Sequence, residues 1–484
     1  MRHKKIDEQE VYNMYQLHFH NPIPVHFIGI GGISMSGLAE ILIKEGFPVS
    51  GSDSHASALT EHLENLGARI QIGQSAFNIP EDCQLVVYTA AIHPDNPEYA
   101  EAKKRKLPML SRAELLGQLM RNYKTSIAVA GTHGKTTTTS MIASILMEED
   151  ADPTISVGGI LPSIGGNIRV GGPNVFLTEA CEYTNSFLHF FPTIGIILNI
   201  EEDHMDFFKD LNDIRRSFRR FAELLPTQGL LIINSGIPDY EEITEGLACR
   251  VVTFGSQESA DYHASDITYD EFGHPSFRLI RKNGESASFR LIRKNGESAS
   301  FRLRVPGEHN VLNALASVAL ADALQVPEET VEKGLLAFTG TDRRFQYKGE
   351  VNGFTIIDDY AHHPTEIRAT LHAAAHYPHR EIWCVFQPHT YSRTKAFLKE
   401  FAAALSLADH VVLADIYPAR ETDTLGISSR DLEQELKALG TDVHYFPSFE
   451  EIEAFLLEKC IHGDLCITMG AGDVINIGEN LLNK

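Results

Sequence analysis

The chain has 484 residues, of which 43% are apolar and 22% charged, a composition typical of a folded protein and long enough for about three domains. Its 42 basic and 65 acidic side chains give a formal net charge of −23. This charge disfavours binding to nucleic acid or to an anionic membrane surface, because both would repel the chain. Small anionic ligands therefore require local sites.

The first ten residues are charged and no long apolar run follows them, so we expect neither a signal peptide nor a membrane anchor. The longest apolar stretches, such as residues 192–200, are shorter than the roughly 18–20 residues of a membrane-spanning helix. The six cysteines form no Cys-x-x-Cys pairs, which predicts reduced thiols instead of disulfides or a zinc site. These features predict a cytoplasmic protein without membrane insertion.

Short apolar runs alternate with helical patterns along the whole chain, which is typical of βαβ units and a parallel sheet. Strands are predicted at residues 25–30, 47–51, 85–89, 125–130, 175–178, 194–198, 230–233, 354–357, 382–386, 410–414 and 465–469, and helices at residues 36–45, 112–121 and 139–147. The pattern predicts three α/β domains in tandem, at residues 1–120, 121–340 and 341–484.

The string GIGGISMSG at residues 29–37 resembles a dinucleotide-binding loop, although Ser34 replaces its third glycine. Asp53 lies about where an acidic residue would bind a ribose. Such a loop holds a diphosphate at a helix N-terminus, whether the ligand is NAD or a nucleotide-sugar. Gly31, Gly32 and Asp53 are therefore predicted to bind such a ligand.

The strongest motif is AVAGTHGKTTT at residues 128–138, where an apolar strand leads through a glycine loop into a helix. Glycines let backbone N–H groups approach phosphates, while Lys135 would reach the β and γ phosphates and Thr136 would hold Mg²⁺. The spacing differs from the usual P-loop, because Val129 stands where the first glycine is expected. The residues predicted to bind ATP here are Gly131, Thr132, His133, Gly134, Lys135, Thr136 and Thr137.

Two acidic clusters follow predicted buried strands downstream of this loop. Glu179 follows the run at residues 175–178, with Glu182 close by, and the string NIEEDHMD at residues 199–206 follows another run. Because ligands of open α/β sheets bind at the carboxyl ends of strands, both clusters are expected near the P-loop as Mg²⁺ ligands. His204 is a candidate metal ligand or a group that orients one.

The third unit contains two strings that combine acids, imidazoles and arginine, DDYAHHPTE at residues 358–366 and FQPHTYSRT at residues 386–394. Arg393 is suited to bidentate binding of a carboxylate. Ahead of them, GEHNVLN at residues 307–313 precedes an alanine-rich helix, and Arg344 lies at the predicted hinge. An arginine at a hinge can reach a transferred phosphate when domains close.

A perfect repeat interrupts the central unit. The string FRLIRKNGESAS at residues 277–288 recurs unchanged at residues 289–300, and residues 301–303 begin a third copy. Each copy alternates apolar and basic residues and then reaches Asn-Gly, a strong hairpin signal, so the repeat predicts a surface β-ribbon. An insert of even length preserves the alternation of strand faces, and we interpret it as a local duplication that leaves the chemistry unchanged.

Nine strings spread in order over nearly the whole chain resemble the Mur ligases of peptidoglycan synthesis. They are GIGGISMSG, SGSD, GTHGKTTT, TEACE, NIEEDHMD, HNVLNA, DRRF, DDYAHHPTE and FQPHTYSRT. The last two are most similar to family members that join L-alanine to UDP-N-acetylmuramate. The resemblance implies a Rossmann-like N-terminal domain for the UDP end, a central P-loop ATPase domain, and a Rossmann-like C-terminal domain for the amino acid. It also implies that ATP phosphorylates the lactyl carboxylate and that the alanine amine attacks the acyl phosphate.

The resemblance further implies the roles of individual residues. The catalytic residues would be Lys135, Arg344, His389 and Arg393, and the ligands of Mg²⁺ would be Thr136, Glu179 and His204. The nucleotide would be bound by His309, Asn310, Asn313 and Asp359. The substrates would be bound by Gly31, Gly32, Asp53, His362 and Arg393. Thr390 stands where some members have arginine, which leaves the alanine carboxylate to Arg393 alone.

Several alternatives remain open at this point. The general base is His362, His363 or His389, or water suffices. The competing functions are an NAD-dependent oxidoreductase, a non-catalytic ATP-binding regulator, and a recycling ligase that takes a murein peptide in place of L-alanine. We expect a monomer or a weak homodimer that binds no nucleic acid.

Overall fold

The computed structural model describes residues 16–89, 91–282, 299–419 and 421–484. Their strands form three separate, mainly parallel sheets, which confirms the predicted α/β class. The sheets follow one another along the chain, and the domain limits at residues 120 and 340 stay predictions. In this described part of the chain, no helix combines the length and apolarity needed to cross a bilayer. All six cysteines are free thiols.

The first sheet consists of β1 (Val25–Ile28), β2 (Val49–Asp53), β3 (Arg69–Ile72), β4 (Leu85–Tyr88) and β5 (Met109–Ser111). Its helices are α1 (Ile33–Lys44), α2 (Ala58–Asn65), α3 (Pro97–Lys104) and α4 (Arg112–Met120). All five strands are parallel, in the order β3-β2-β1-β4-β5. The helix α1 begins three residues before the predicted start at residue 36, because Gly32 supplies an extended N-cap directly after the glycine loop.

The second sheet consists of β6 (Thr125–Ala130), β7 (Thr154–Leu161), β8 (Gly166–Arg169), β9 (Val175–Ala180), β10 (Ile194–Ile197), β11 (Leu230–Asn234), β12 (Arg250–Gly255), β13 (Tyr262–Tyr269), β14 (Pro275–Arg281) and β15 (Ala299–Arg302). Its helices are α5 (Lys135–Glu148), α6 (Leu211–Ala222), α7 (Glu241–Thr244), α8 (His309–Ala323) and α9 (Glu328–Ala337). The order is β15-β14-β13-β12-β11-β10-β6-β9-β7-β8. The strands at the two ends, β8 on one side and β14 and β15 on the other, pair antiparallel.

The third sheet consists of β16 (Gln346–Val351), β17 (Phe354–Asp359), β18 (Ile382–Phe386), β19 (His410–Leu413), β20 (Asp442–Tyr445) and β21 (Leu465–Met469). Its helices are α10 (Pro364–Ala374), α11 (Tyr391–Ala396), α12 (Leu398–Leu405), α13 (Ser429–Ala438), α14 (Phe449–Lys459) and α15 (Ile475–Leu482). The order is β16-β17-β21-β18-β19-β20, and β16 is the antiparallel edge strand.

The repeat contributes strands to the second sheet. β14, from the first copy, pairs antiparallel with β15, at the junction with the third copy, so that Phe277 lies opposite Phe301 with ring centroids 5.9 Å apart. Both rings are buried in the central core, because the alternating pattern places one face of the pair against it. The pair is therefore part of the core sheet and not only a surface ribbon. The predicted Asn-Gly turns lie outside the described residues.

A single apolar core joins the first sheet to one face of the second. Two glycines permit the close approach of these layers. A Cβ on Gly37 would lie 2.1 Å from the side chain of Ile168, and one on Gly117 would lie 1.9 Å from the carbonyl oxygen of His189. Among the described residues, no buried apolar cluster joins the third sheet to the other two.

Candidate active site

The P-loop connects β6 to α5, and Gly134 forms the turn into the helix. Gly134 caps α5 with φ of +81°, a left-handed conformation that glycine adopts without strain. A Cβ at this position would lie 2.8 Å from Oδ1 of Asn313. Asn199 fixes the loop from β10, since its Oδ1 accepts from the N–H of His133 at 2.7 Å and its Nδ2 donates to the carbonyl of His133 at 3.1 Å.

Lys135 lies inside this loop as a fixed cation. Its Nζ donates to the carbonyls of Gly131 at 2.5 Å and Thr132 at 3.1 Å, and it pairs with the buried carboxylate of Glu182 at 3.0 Å. Burial alone would lower the pKa of Lys135, but the charge of Glu182 raises it overall. The lysine is therefore charged at neutral pH, as a phosphate-binding group must be.

The predicted metal ligands approach the P-loop from two sides. Glu179 lies in β9, next to β6, where its carboxylate accepts from the N–H of Gly158 at 2.5 Å, and Thr136 is near enough to lower its pKa against the effect of burial. His204 lies on the other side, next to the Glu182 that pairs with Lys135, and its Nε2 is 3.8 Å from Oε1 of that carboxylate. A hydroxyl and a carboxylate are the hard oxygen donors that Mg²⁺ prefers, so this donor set fits the ion.

Two adjoining cavities open at the carboxyl ends of these strands. The larger has a volume of about 560 Å³, within the range of small-molecule sites. The smaller, of about 180 Å³, lies at the P-loop. Both are lined by His133, Gly134, Thr136, Arg344 and Glu366. Lys135, His204 and His362 line only the smaller cavity, whereas Thr137, His309, Asn310, Asn313 and Asp359 line only the larger.

The helix α8 contributes three of the predicted nucleotide-binding residues to the larger cavity. Nδ2 of Asn310 donates to the carbonyl of Pro306 at 2.7 Å, and Nδ2 of Asn313 donates to Oδ1 of Asn310 at 3.0 Å. Burial, with the charge of Arg344 adding to it, lowers the pKa of His309 to about 4. His309 is therefore a neutral ring at pH 7.

Asp359 ends β17 on the opposite wall and fixes the hinge. Its carboxylate accepts from the N–H groups of Phe345 and Ala361, both at 2.7 Å. Burial raises its pKa to about 6, although the nearby charge of Arg344 opposes that shift.

Glu366, on α10, connects the hinge and the P-loop. Oε1 lies 3.4 Å from Nη1 of Arg344 and 3.2 Å from Nδ1 of His133, and Oε2 lies 3.4 Å from Nδ1 of His362. Burial alone would raise the pKa of Glu366, but its interactions with His362 and His133, together with the charge of Arg344, hold it well below its usual range. The carboxylate thus orients groups from both the second and the third domain.

Arg393, on α11, forms another charged contact between these domains. Its Nη2 donates to Oδ1 of Asp203 at 2.7 Å, and its Nη1 lies 3.2 Å from Nδ1 of His389. Burial lowers the pKa of His389 to about 4 and that of His362 to about 3. The two rings lie edge to face 5.7 Å apart. Both are neutral at pH 7 and are weak bases.

His133, Glu201 and His363 present donor atoms within 4.8 Å of one another. Both nitrogens of His363 already have partners, the carbonyl of Glu202 at 3.0 Å and the N–H of Thr365 at 3.3 Å. Oε2 of Glu201 accepts from the hydroxyl of Thr365 at 2.6 Å. These contacts attach α10 to the second domain, and burial lowers the pKa of His363.

The predicted substrate residues of the first domain lie together at their own loop. The N–H of Gly31 donates to Oδ2 of Asp53 at 2.8 Å, and Gly32 caps α1. Asp53 thus holds the glycine loop in addition to any contact with a ligand. These three residues line neither of the two cavities described above.

The sequence assigns no individual role to four residues of the site, namely Glu182, Asn199, Asp203 and Glu366, although Glu182, Asn199 and Asp203 belong to the two clusters predicted near the P-loop. Each lies inside one of the motif strings, TEACE, NIEEDHMD or DDYAHHPTE. The strings mark the neighbourhood, but only the structure identifies the partners, which are Lys135, His133, Arg393 and Arg344.

Comparison with known proteins finds three successive family matches along the chain. Residues 24–124 match the Mur ligase family catalytic domain, residues 129–321 the Mur ligase middle domain, and residues 343–472 the Mur ligase glutamate ligase domain. A UDP-N-acetylmuramate–L-alanine ligase of Lachnospira eligens is 60% identical over 97% of this chain and 100% of its own length.

Two solved structures have the same architecture. The UDP-N-acetylmuramate-alanine ligase of Thermotoga maritima gives a TM-score of 0.75 at 31% identity, covering 95% of this chain and 98% of that one. A murein peptide ligase of Psychrobacter arcticus gives a TM-score of 0.68 at 25% identity, with the same coverage. With all three segments matched and a whole-length relative at 60% identity, the chain belongs to the Mur ligase family.

Proposed function

We propose that this chain joins L-alanine to the lactyl carboxylate of UDP-N-acetylmuramate, in an ATP- and Mg²⁺-dependent reaction of peptidoglycan precursor synthesis. The whole-length relative at 60% identity has this activity in its name, which supports the same substrates here. The reaction belongs in the cytoplasm, where ATP is available, and the chain acts as a monomer or a weak homodimer.

The observation that carries the proposal is the continuity of the two cavities. The larger has the volume of a nucleotide site and is lined by the P-loop and α8, and the smaller extends from the same P-loop to His362 of the third domain. A γ-phosphate held at Lys135 would therefore face the C-terminal domain. This arrangement suits transfer of the phosphate to a second substrate more than simple hydrolysis.

In the first step, a carboxylate oxygen of UDP-N-acetylmuramate attacks the γ-phosphorus, and ADP leaves. Lys135 and Arg344 neutralise charge on the transferred group, since both line the smaller cavity and remain protonated. Thr136, Glu179 and His204 would hold Mg²⁺, which supplies further charge neutralisation when bound. The carboxylate becomes an electrophile because its oxygen now belongs to a good leaving group.

In the second step, the amine of L-alanine attacks the acyl phosphate, and phosphate leaves through a tetrahedral intermediate. Arg393 orients the alanine carboxylate, because a guanidinium binds carboxylates through paired hydrogen bonds. His362 and His389 are uncharged at neutral pH, so they add no positive charge that would repel an ammonium group. Their low basicity favours loss of the amine proton to water before attack.

The test is phosphate release from ATP and Mg²⁺ with UDP-N-acetylmuramate, with and without L-alanine, together with the mass of the UDP product. We expect a product heavier by one alanine residue, and we expect Lys135→Ala to abolish it. Exposed Lys104→Ala, in the first domain, serves as the matched control and should retain activity. Release of phosphate without a heavier product would reject the proposal.

A murein-peptide recycling ligase is the second candidate, since a murein peptide ligase has the same architecture at 25% identity. The same assay separates the two functions when L-alanine is replaced by a murein peptide. Product formation only with the peptide would assign the chain to recycling, and nicotinamide oxidation or reduction without ATP would instead indicate a dehydrogenase.

A further inference from the structure

The contact between Arg393 and Asp203 joins two segments that lie 190 positions apart in the chain. Arg393 lies on α11 of the third domain, and Asp203 lies in the loop after β10 of the second. The side chains are 11% and 8% exposed. A buried, charge-assisted hydrogen bond of this kind is stronger than a surface ion pair, because little water competes for the charges.

The geometry of the pair leaves part of the guanidinium free. Nε and Nη2 of Arg393 both donate to Oδ1 of Asp203, at 3.3 and 2.7 Å, and Nη1 lies 3.2 Å from Nδ1 of His389. A guanidinium has five N–H donors, of which Asp203 takes two and His389 one. One donor remains on each of the terminal nitrogens, and together they match the two oxygens of a carboxylate.

The same aspartate also contacts the backbone of the metal-binding loop, the segment at residues 199–206 after β10 that contains the predicted Mg²⁺ ligand His204. Its Oδ1 accepts from the backbone N–H of His204 at 2.7 Å, and His204 adopts a left-handed backbone with φ of +54°. One carboxylate therefore contacts both a predicted Mg²⁺ ligand and the predicted alanine-binding arginine. On the other side, Glu421 accepts from the N–H of Ser392 at 2.9 Å and so holds the start of α11.

We propose that Asp203 is a positioning residue, which orients the guanidinium of Arg393 so that it can bind the alanine carboxylate. This inference rests on the function proposed above. The amino-acid site is then complete only when the third domain is docked on the metal-binding loop. Asp203 lines the smaller cavity beside His204, and it acts on the amino-acid site through Arg393.

The alternative role of Asp203, as a competitor for Arg393, predicts a different effect on the KM for L-alanine. If Asp203 occupied the place of the substrate carboxylate, it would compete with L-alanine for Arg393, and removal of its charge would lower the KM for L-alanine. If it positions Arg393, removal of its charge releases the guanidinium and raises that KM.

The experiment compares Asp203→Asn with Glu202→Gln in the full-length chain. The control removes one negative charge from the same loop, and the side chain of Glu202 is exposed. We expect Asp203→Asn to raise the KM for L-alanine about tenfold or more, by the loss of a buried charged hydrogen bond. The KM for ATP should change less than twofold. The amount of ADP formed in a single turnover without L-alanine should also change less than twofold.

Two further measurements can be interpreted even if the variant is less stable than the wild type. In a double-mutant cycle, Asp203→Asn should have little effect on the KM for L-alanine once Arg393→Lys is present, because it acts through that arginine. The preference of the enzyme for L-alanine over L-alaninamide, which lacks the carboxylate, should also fall in Asp203→Asn.

An unchanged or lower KM for L-alanine, or fully additive effects in the cycle, would overturn the inference. Equal increases in the KM for ATP and for L-alanine would also overturn it, because they would indicate a general disturbance of the site. Failure of the wild-type chain to transfer alanine would instead reject the proposed function, so the two failures are distinguishable.

Discussion

At the scale of single residues, the buried carboxylate of Glu98 shows how the first domain holds a charge. It accepts hydrogen bonds from Nε2 of His26, Oγ of Ser52 and Nδ2 of Asn78, each at 2.8 Å, and from the N–H of Ser75 at 3.2 Å. A buried carboxylate is tolerated only with such a full set of donors.

These bonds connect Glu98 to the glycine loop. The carbonyl of Ser52 accepts from the N–H groups of Gly29 and Ile30, both at 2.9 Å, where the predicted UDP-binding loop begins. Burial alone would raise the pKa of Glu98, but the hydrogen bonds from His26 and Ser52 lower it below its usual 4.5. A carboxylate with a lowered pKa in the folded state stabilises the fold above pH 4.5 and loses that contribution as the pH falls below it.

We therefore expect Glu98→Gln to lower the free energy of unfolding by about 1–3 kcal/mol at pH 7, because the amide cannot accept all of these hydrogen bonds. The loss of stability of the wild type on acidification from pH 6 to pH 3 should also become smaller in the variant. Urea unfolding at several pH values measures both effects. The exposed Glu64→Gln in the same domain is the control, and equal effects of the two substitutions would contradict the prediction.

At the scale of elements, β14 and β15 show why the repeat is compatible with the fold. β15 has the sequence Ala-Ser-Phe-Arg, and the end of the first copy followed directly by Phe301 would have the same sequence. Deletion of residues 289–300 therefore reproduces the paired residues of both strands. It also keeps Lys-Asn-Gly between Arg281 and Glu285, a sequence pattern that favours a three-residue hairpin loop ending in glycine.

We expect the chain without residues 289–300 to keep its alanine ligase activity within about twofold of the full-length chain. Its midpoint of thermal unfolding should be equal or slightly higher, because a connection shortened by twelve residues costs less closure entropy. Activity assays and calorimetry of the two chains measure this. Loss of activity in a chain that still unfolds cooperatively would show that the duplication contributes to the chemistry.

At the scale of the whole molecule, the three sheets are joined in two different ways. The first and second share an apolar core, with Gly37 against Ile168 and Gly117 against the carbonyl of His189. The third is attached mainly by hydrogen bonds and ion pairs, such as Arg393 with Asp203, and by two ring contacts, Tyr269 with His376 and Phe272 with Tyr377. Because polar contacts exchange readily with water and apolar cores do not, we expect the first two domains to form one unit and the third to be the one that moves.

We expect Gly117→Ala to lower the midpoint of thermal unfolding by several degrees and to reduce alanine ligase activity. A Cβ would lie 1.9 Å from a backbone oxygen, which no side-chain rotation relieves, and such overpacking costs about 1–3 kcal/mol. Gly166→Ala is the matched control, since no atom lies within 4 Å of the Cβ that it would add. A Gly117→Ala protein as stable as the control would contradict the shared-core interpretation.

The sequence alone determined the elements with strong local signals. The strands β6, β18 and β21 have the predicted limits, because each is a continuous apolar run that must be buried. The P-loop was also evident, since a glycine loop between a strand and a helix with Lys135 has few other physical uses. The start of α1 differs from the predicted one, because capping by Gly32 involves no side-chain signal.

Only the tertiary structure decided which charged groups meet. Asp203, Glu182 and Glu366 belong to short acidic strings in which neighbouring carboxylates are chemically equivalent. The choice among them depends on which side chain is buried against an arginine or lysine from a distant segment. Residue type and local spacing specify a phosphate-binding loop, whereas the partner of a buried charge is set by the packing of sheets that lie far apart in the chain.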